Sequence, residues 1–200
     1  DLRMSRGLGD VYKRQDAKLE AMLPVIRGEL PLKAHAHRAD DIFTAIRIAK
    51  EFGVKLTIEH CTDGALIADD LAKEGFPVAV GPSFGHATKY ELRNKSFTTP
   101  GILAKAGCQV SIITDAPVIP QQYLALCAGL AVKSGMDEFD ALKAITINPA
   151  KHLMIEKRVG SIEVGKDADF AICDGNIMKS DSVLRYTIID GKVVFKHEDM

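Results

Sequence analysis

The sequence predicts an α/β protein built around a parallel sheet, and three observations carry that expectation. A unit recurs four times: a helical run closed by Gly, then a short apolar run that stops on a residue able to do chemistry. Each Gly stands where a helix is expected to stop, and each apolar run has the length of a buried parallel strand. From Val159 onward the pattern changes to β-rich runs punctuated by Gly, the mark of a small antiparallel piece beside the main layer.

The four units place their chemistry at equivalent positions. Gly28 leads through Leu30 and Leu32 to His35, and Gly53 through Val54, Leu56 and Ile58 to His60. Gly75 leads through Val78 and Val80 to Pro82 and Ser83, and Gly107 through Val110, Ile112 and Ile113 to Asp115. In open α/β sheets and in eight-stranded α/β barrels the loops past the strand ends converge on one face, so residues far apart in sequence meet there. Two imidazoles and a carboxylate are the donor mixture that holds Zn²⁺ or a similar ion while leaving a position for water.

Each element follows in order. Residues 1–15, with Gly7, Gly9 and a cluster of basic residues, show neither helical periodicity nor strand alternation and read as a foreign leader, an artefact of sequence assembly. From Asp16 the pattern turns helical, with Leu19, Met22, Leu23 and Ile26 at helical spacing. The next helix carries Ile42, Ala45, Ile46 and Ala49 on one face and ends before Gly53; a third runs from about Gly64 to Glu74 with Ile67, Ala68 and Leu71 inward. A long polar loop, 81–97, holds His86, Lys89, Tyr90, Glu91, Arg93 and Lys95, and loops of that length are commonly lids or binding loops. Pro100 suits the first turn of a short helix that ends before Gly107, and further helices are expected from about Gln121 to Lys133 and from Asp137 to Ile147, the last closed by Asn148 and Pro149. In the tail, strands are expected over 162–164, 170–173, 186–189 and 192–195, with Asp190 and Gly191 as a two-residue hairpin.

Composition excludes several classes. A chain of 200 residues with 46% hydrophobic content and a formal charge of −1 has ample material for a core, in one or two domains. No apolar run approaches the ~20 residues of a membrane helix, and the mixed charges form no basic stripe for nucleic acid. The start, Asp1 and Leu2 followed by charged residues, shows no secretory-signal pattern. Cys61, Cys108, Cys127 and Cys173 are widely spread without a C-x-x-C pair, which fits a reducing, cytoplasmic setting; Cys61, next to His60, reads first as a packing residue.

Lys33-Ala34-His35-Ala36-His37, Thr57-Ile58-Glu59-His60, Ile113-Thr114-Asp115, the 144–150 run Ala-Ile-Thr-Ile-Asn-Pro-Ala and the 160–169 run Gly-Ser-Ile-Glu-Val-Gly-Lys-Asp-Ala-Asp are the segments that carry a family likeness. Together they resemble the amidohydrolase superfamily, specifically its members related to imidazolonepropionase and metal-dependent prolidases, over residues 16–200. The resemblance implies the C-terminal half of a (β/α)8 TIM barrel over 16–158, followed over 159–200 by the C-terminal part of a small β-sandwich domain. It places His35, His60 and Asp115 at the ends of the fifth, sixth and eighth barrel strands. The first-strand His-x-His and the fourth-strand Lys or Glu ligand have no counterpart, and four βα units are half of the eight that close a barrel. A fragment of a larger enzyme, inactive alone, is therefore expected.

The chemistry implied by the resemblance is hydrolysis of a C–N bond in an amide, cyclic amide or dipeptide by metal-activated water. His35, His60 and Asp115 hold one or two divalent ions, with zinc the expected metal, and Asp115 is also the general base turned general acid. His37 reads as facing substrate or supporting a ligand. Arg38 stands where imidazolonepropionase-like enzymes and related deaminases place a Glu. A guanidinium cannot trade protons at neutral pH, so amide or dipeptide hydrolysis gains over ring opening and deamination. Arg38 is read as pairing with Asp40 or Asp41 or as gripping a substrate carboxylate. His86, Lys89 and Arg93 are further candidates for substrate contact, and Ala116 replaces a His frequent in close relatives. The expected partners are a small amide or peptide-like substrate and, for the full-length parent, further copies of itself, with no nucleic acid and no membrane. Two alternatives stay open: a deaminase of the same superfamily, and a non-catalytic half-barrel that binds a small molecule or associates.

Overall fold

Asp16 opens the part of the chain that the computed structural model describes, residues 16–198; the leader expected over 1–15 lies outside it. The Asp16 carboxylate accepts hydrogen bonds from the amides of Lys18 and Leu19, capping a short helix, α1 (Ala17–Ala21). The periodic run does not continue unbroken, because Pro24 brings no N–H and starts a second helix, α2 (Leu23–Ile26).

Four strands then alternate with helices: β1 (Leu32–Ala36), α3 (Ala39–Phe52), β2 (Leu56–His60), α4 (Ala68–Glu74), β3 (Val78–Val80), α5 (Thr99–Ala106) and β4 (Val110–Ile112). All pair in parallel, in the order β1-β2-β3-β4. Gly53, Gly75 and Gly107 end α3, α4 and α5 in the left-handed conformation, where a side chain would be strained. The helix expected from Gly64 begins as a 3-10 turn over Thr62–Leu66 before α4.

The core lies between the sheet and these helices. Ile42, Ile46 and Ala49 of α3, Leu56 and Ile58 of β2, Leu71, Val78, Leu103 and Val110 are buried together. At ~1.5–3 kcal/mol for each large aliphatic side chain, this cluster is what holds the strand ends in register. A second cluster joins Ile112 to α6 (Leu124–Lys133), α7 (Glu138–Ala144) and Met178. Here Gly129 has a structural reason, since a Cβ at that position would stand 2.1 Å from the Met178 carbonyl oxygen.

Two expectations need correction. Asn148 and Pro149 do not close a helix; they lie in the first turn of a separate one, α8 (Ile147–His152), where the missing Pro N–H has no helical partner to lose. Residues 162–164 are not a strand: no strand among the described residues pairs with them, and Ile162 and Val164 are exposed. The remaining tail forms a separate antiparallel sheet, β5 (Phe170–Asp174), β6 (Val183–Ile189) and β7 (Lys192–Lys196), in that order. Asp190 and Gly191, both at positive φ, make the β6–β7 hairpin. No helix among the described residues is long and apolar enough to cross a membrane.

Candidate metal centre

Strand alternation sets the first ligand. Leu32, Ala34 and Ala36 of β1 face the helices, so Lys33 and His35 face the other way, level with Thr57 and Glu59 of β2. Alternation alone would send His60, the register partner of Ala36, toward the helices with Leu56 and Ile58. The backbone prevents this, because His60 has φ 72° and Cys61 φ 48°, left-handed values uncommon away from Gly. The turn aims the His60 ring at His35 and returns the Cys61 thiol to the core, where burial pushes its pKa up to about 12 and leaves it an inert packing group.

Hydrogen bonds then fix the rings. The carbonyl oxygen of Gly81 can only accept, so His60 donates through Nδ1–H at 2.7 Å, and in the neutral ring Nε2 is left bare. That Nε2 stands 3.0 Å from Nδ1 of His35. His37 follows β1, stacks on His60 with ring centroids 4.7 Å apart, and shares a 2.8 Å hydrogen bond between Nδ1 and the Thr62 hydroxyl. One ligand atom from each of His35, His37 and His60 lies within 4.8 Å of the others. Burial, helped by the neighbouring His60 and His35 and opposed by Glu91, lowers the His37 pKa to about 4. At neutral pH His37 is therefore an uncharged nitrogen donor. Three converging ring nitrogens, one set in its tautomer by a backbone carbonyl, suit a divalent ion of the zinc class.

The support for this cluster is largely backbone. Gly81 has φ 139°, and a Cβ on it would meet the Ile113 carbonyl oxygen at 2.2 Å, so only Gly lets β3 and β4 approach closely enough here. Asp63, 4% exposed, accepts from Asn94 Nδ2 at 2.7 Å and from the Ala39 amide at 3.2 Å, while its own amide donates to the His37 carbonyl at 2.8 Å. The long loop is thus tied to the exit of β1, and Glu91 stands 3.9 Å from His37 Nε2.

Of the sequence-predicted site residues, the structure brings together His35, His60 and His37. Asp115 stands outside that 4.8 Å group, exposed at the exit of β4 with φ 52°. Arg38 is exposed and holds Asp40 through two hydrogen bonds of 3.0 and 2.7 Å. His86 is exposed on the loop; Lys89 pairs with Glu91, and Arg93 lies over the Tyr90 ring. Sequence reasoning missed Thr62, Asp63 and Gly81, although all lie within a few residues of strand ends that it did find. It also gave His152 no role. Buried at the end of α8, His152 donates through Nε2 to Glu59 at 2.8 Å, beside Lys33 at 3.2 Å. Nothing local signals that contact, which spans 93 residues.

Residues 18–194 match the model of the amidohydrolase family. The chain belongs to that family. It is 26% identical over 192 residues to imidazolonepropionase of Streptococcus pyogenes serotype M12, covering 80% of this chain and 45% of the relative. The crystal structure of an amidohydrolase from Thermotoga maritima MSB8 superposes with a TM-score of 0.88 at 44% identity, covering 92% of this chain and 48% of that one. A Xaa-Pro dipeptidase structure gives a TM-score of 0.63 at 25% identity, covering 84% and 45%. The chain spans less than half the length of each of the three.

Proposed function

We propose that this amidohydrolase-family chain is the metal-holding C-terminal half of an enzyme that hydrolyses a C–N bond in a small amide, cyclic amide or dipeptide. The observation that carries the reading is the bare Nε2 of His60, set by the Gly81 carbonyl and aimed at His35 with His37 alongside. His35 and His60 would hold the ion, with His37 beside them and Asp115 contributing its carboxylate from the exit of β4. A bound divalent cation supplies a water of pKa ~7 and polarises a carbonyl oxygen.

The chain's own residues do the rest. Asp115 takes a proton from water on its carboxylate and returns it to the leaving nitrogen. His37 stays neutral and keeps its ring seated through Thr62. Arg38, engaged with Asp40, offers no proton donor for deamination, which favours hydrolysis. In this reading residues 16–158 supply half of a (β/α)8 barrel and the tail sheet supplies part of a β-sandwich. That the chain spans less than half of its relatives supports this division.

Titration of the 200-residue chain with Co²⁺ at neutral pH tests the centre: one equivalent should bind with a ligand-field spectrum that His60→Ala abolishes. Absence of binding, or binding unchanged in His60→Ala, overturns the metal reading. The half-barrel part is tested in the DNA, where the frame upstream of codon 16 should encode about four more βα units and a His-x-His motif. A protein including that half should hydrolyse dipeptide or N-acyl substrates, and the 200-residue chain alone should not.

A further inference from the structure

The corner that carries His60 is a three-residue turn. The Cys61 amide donates at 3.0 Å to the Glu59 carbonyl, two residues back, and at 3.0 Å to the Ala36 carbonyl, while His60 at the centre has φ 72°. Turns of this left-handed kind are rare and strained, and they persist only where the surroundings fix them. The Gly81 carbonyl fixes the His60 ring. Glu59, on which the turn closes, is fixed through its side chain.

One oxygen of the Glu59 carboxylate, Oε1, accepts three hydrogen bonds: from the Thr57 hydroxyl at 3.1 Å, from Lys33 Nζ at 3.2 Å and from His152 Nε2 at 2.8 Å. Thr57 is on the same strand and Lys33 on the neighbouring one, so of the three only His152, buried on α8, ties Glu59 to an element outside the sheet. With Nε2–H given to Glu59, the Nδ1 of the neutral His152 ring is a bare acceptor, and it is buried with no hydrogen-bond partner among the described residues. An unmet buried acceptor costs stability that an apolar side chain of similar size would not lose, and a buried ion pair is itself a weak source of stability. Packing therefore accounts poorly for His152, and a fixed donor to Glu59 accounts for it well.

We propose that His152 is a positioning residue for the imidazole cluster: by holding Glu59 it fixes the turn that aims the His60 ring at His35. The segment that follows the four strands thereby sets the geometry of a site built at their ends. The consequence for metal binding rests on the metal reading above; the hold of His152 on the turn does not.

Two amide replacements in the 200-residue chain separate the donor from the bulk of the ring. His152→Gln carries an N–H where Nε2 stands and keeps the bond to Glu59; His152→Asn carries it where Nδ1 stands, short of Glu59. Ile46→Val, a trimmed core residue of α3, controls for general loosening. In the metal-free protein the His60 Nδ1–H resonance should persist in His152→Gln and Ile46→Val, and should exchange with solvent about 10-fold faster in His152→Asn. Co²⁺ affinity should fall about 10-fold, with a changed ligand-field spectrum, in His152→Asn alone. A His152→Asn protein that matches the parent in both measurements overturns the role, as does the same loss in Ile46→Val or in His152→Gln. The unmodified chain gives a check that no folding defect can blur: coupling runs both ways, so Zn²⁺ should slow exchange of the His152 Nε2–H, and an unchanged rate overturns the role. A parent that binds neither ion refutes the metal reading, and the metal-free His60 resonance then decides for or against His152.

Discussion

Gly81→Ala is the substitution that most directly probes how the centre is built. The new Cβ would lie 2.2 Å from the Ile113 carbonyl oxygen, roughly 1 Å short of ordinary contact, at a backbone φ of 139°. Holding Ala in that conformation costs ~1–3 kcal/mol. Relieving the clash must separate the exits of β3 and β4, and a shift of that size carries the 2.7 Å bond from His60 Nδ1 past the ~3.5 Å limit of a hydrogen bond. Leaving those buried groups unpaired adds ~1–3 kcal/mol, for a total of about 2–6 kcal/mol. With the His60 tautomer released, zinc affinity should fall about 10- to 100-fold. Urea denaturation and competitive zinc titration measure the two effects. Gly75→Ala is the control, since its φ of 74° carries left-handed strain but a Cβ there meets nothing within 4 Å; it should cost only ~1–2 kcal/mol and leave zinc binding alone. Equal losses in the two variants, or a Gly81→Ala protein with wild-type zinc affinity, would refute the argument.

Three further outcomes are expected. His37 has a folded pKa of about 4 against 6.5 unfolded, so between those values the unfolded chain binds a proton that the folded chain does not. Stability of the metal-free protein should therefore fall as pH drops from 6.5 to 4, by up to about 3 kcal/mol, and His37→Asn should flatten that part of a pH series of urea melts. Asp63→Ala removes the acceptor of Asn94 and of the Ala39 amide, so trypsin should cut at Lys89, Arg93 or Lys95 faster than in the parent, with a stability loss of about 1–3 kcal/mol. Gly129→Ala would place a methyl 2.1 Å from the Met178 carbonyl; it should loosen the 176–178 segment from α6, visible as faster amide exchange there with little change in β2.

The repeating units were readable because their signals are local. A Gly at each helix stop and an apolar run of strand length fix where β1 to β4 begin, and short helical connections leave parallel pairing as the simple solution. The hairpin at Asp190 and Gly191 is equally local. Pro24 and Pro149 were misjudged in opposite directions: the helical periodicity was carried straight through Pro24 and Pro149 was read as an end, whereas each lies in the first turn of a new helix, α2 and α8, where its missing N–H costs nothing. In the site, the positions of His35 and His60 followed from strand ends, yet the inclusion of His37 depended on rings stacking across the exits of two strands. Residues that act through tertiary contact, His152 on Glu59 and Asp63 on Asn94, left no periodic trace to find.

The left-handed pair at the exit of β2 has a consequence for what this site can become. His60 and Cys61 are adjacent, and a backbone kink, not a choice of rotamer, decides which of them faces the rim and which the interior. A one-residue slip at that corner would exchange a nitrogen donor for a sulfur donor without any change of sequence. Which of the two donor atoms is offered at the rim is thus written in two dihedral angles, and insertions or deletions in the 61–67 turn are the changes best placed to rewrite it.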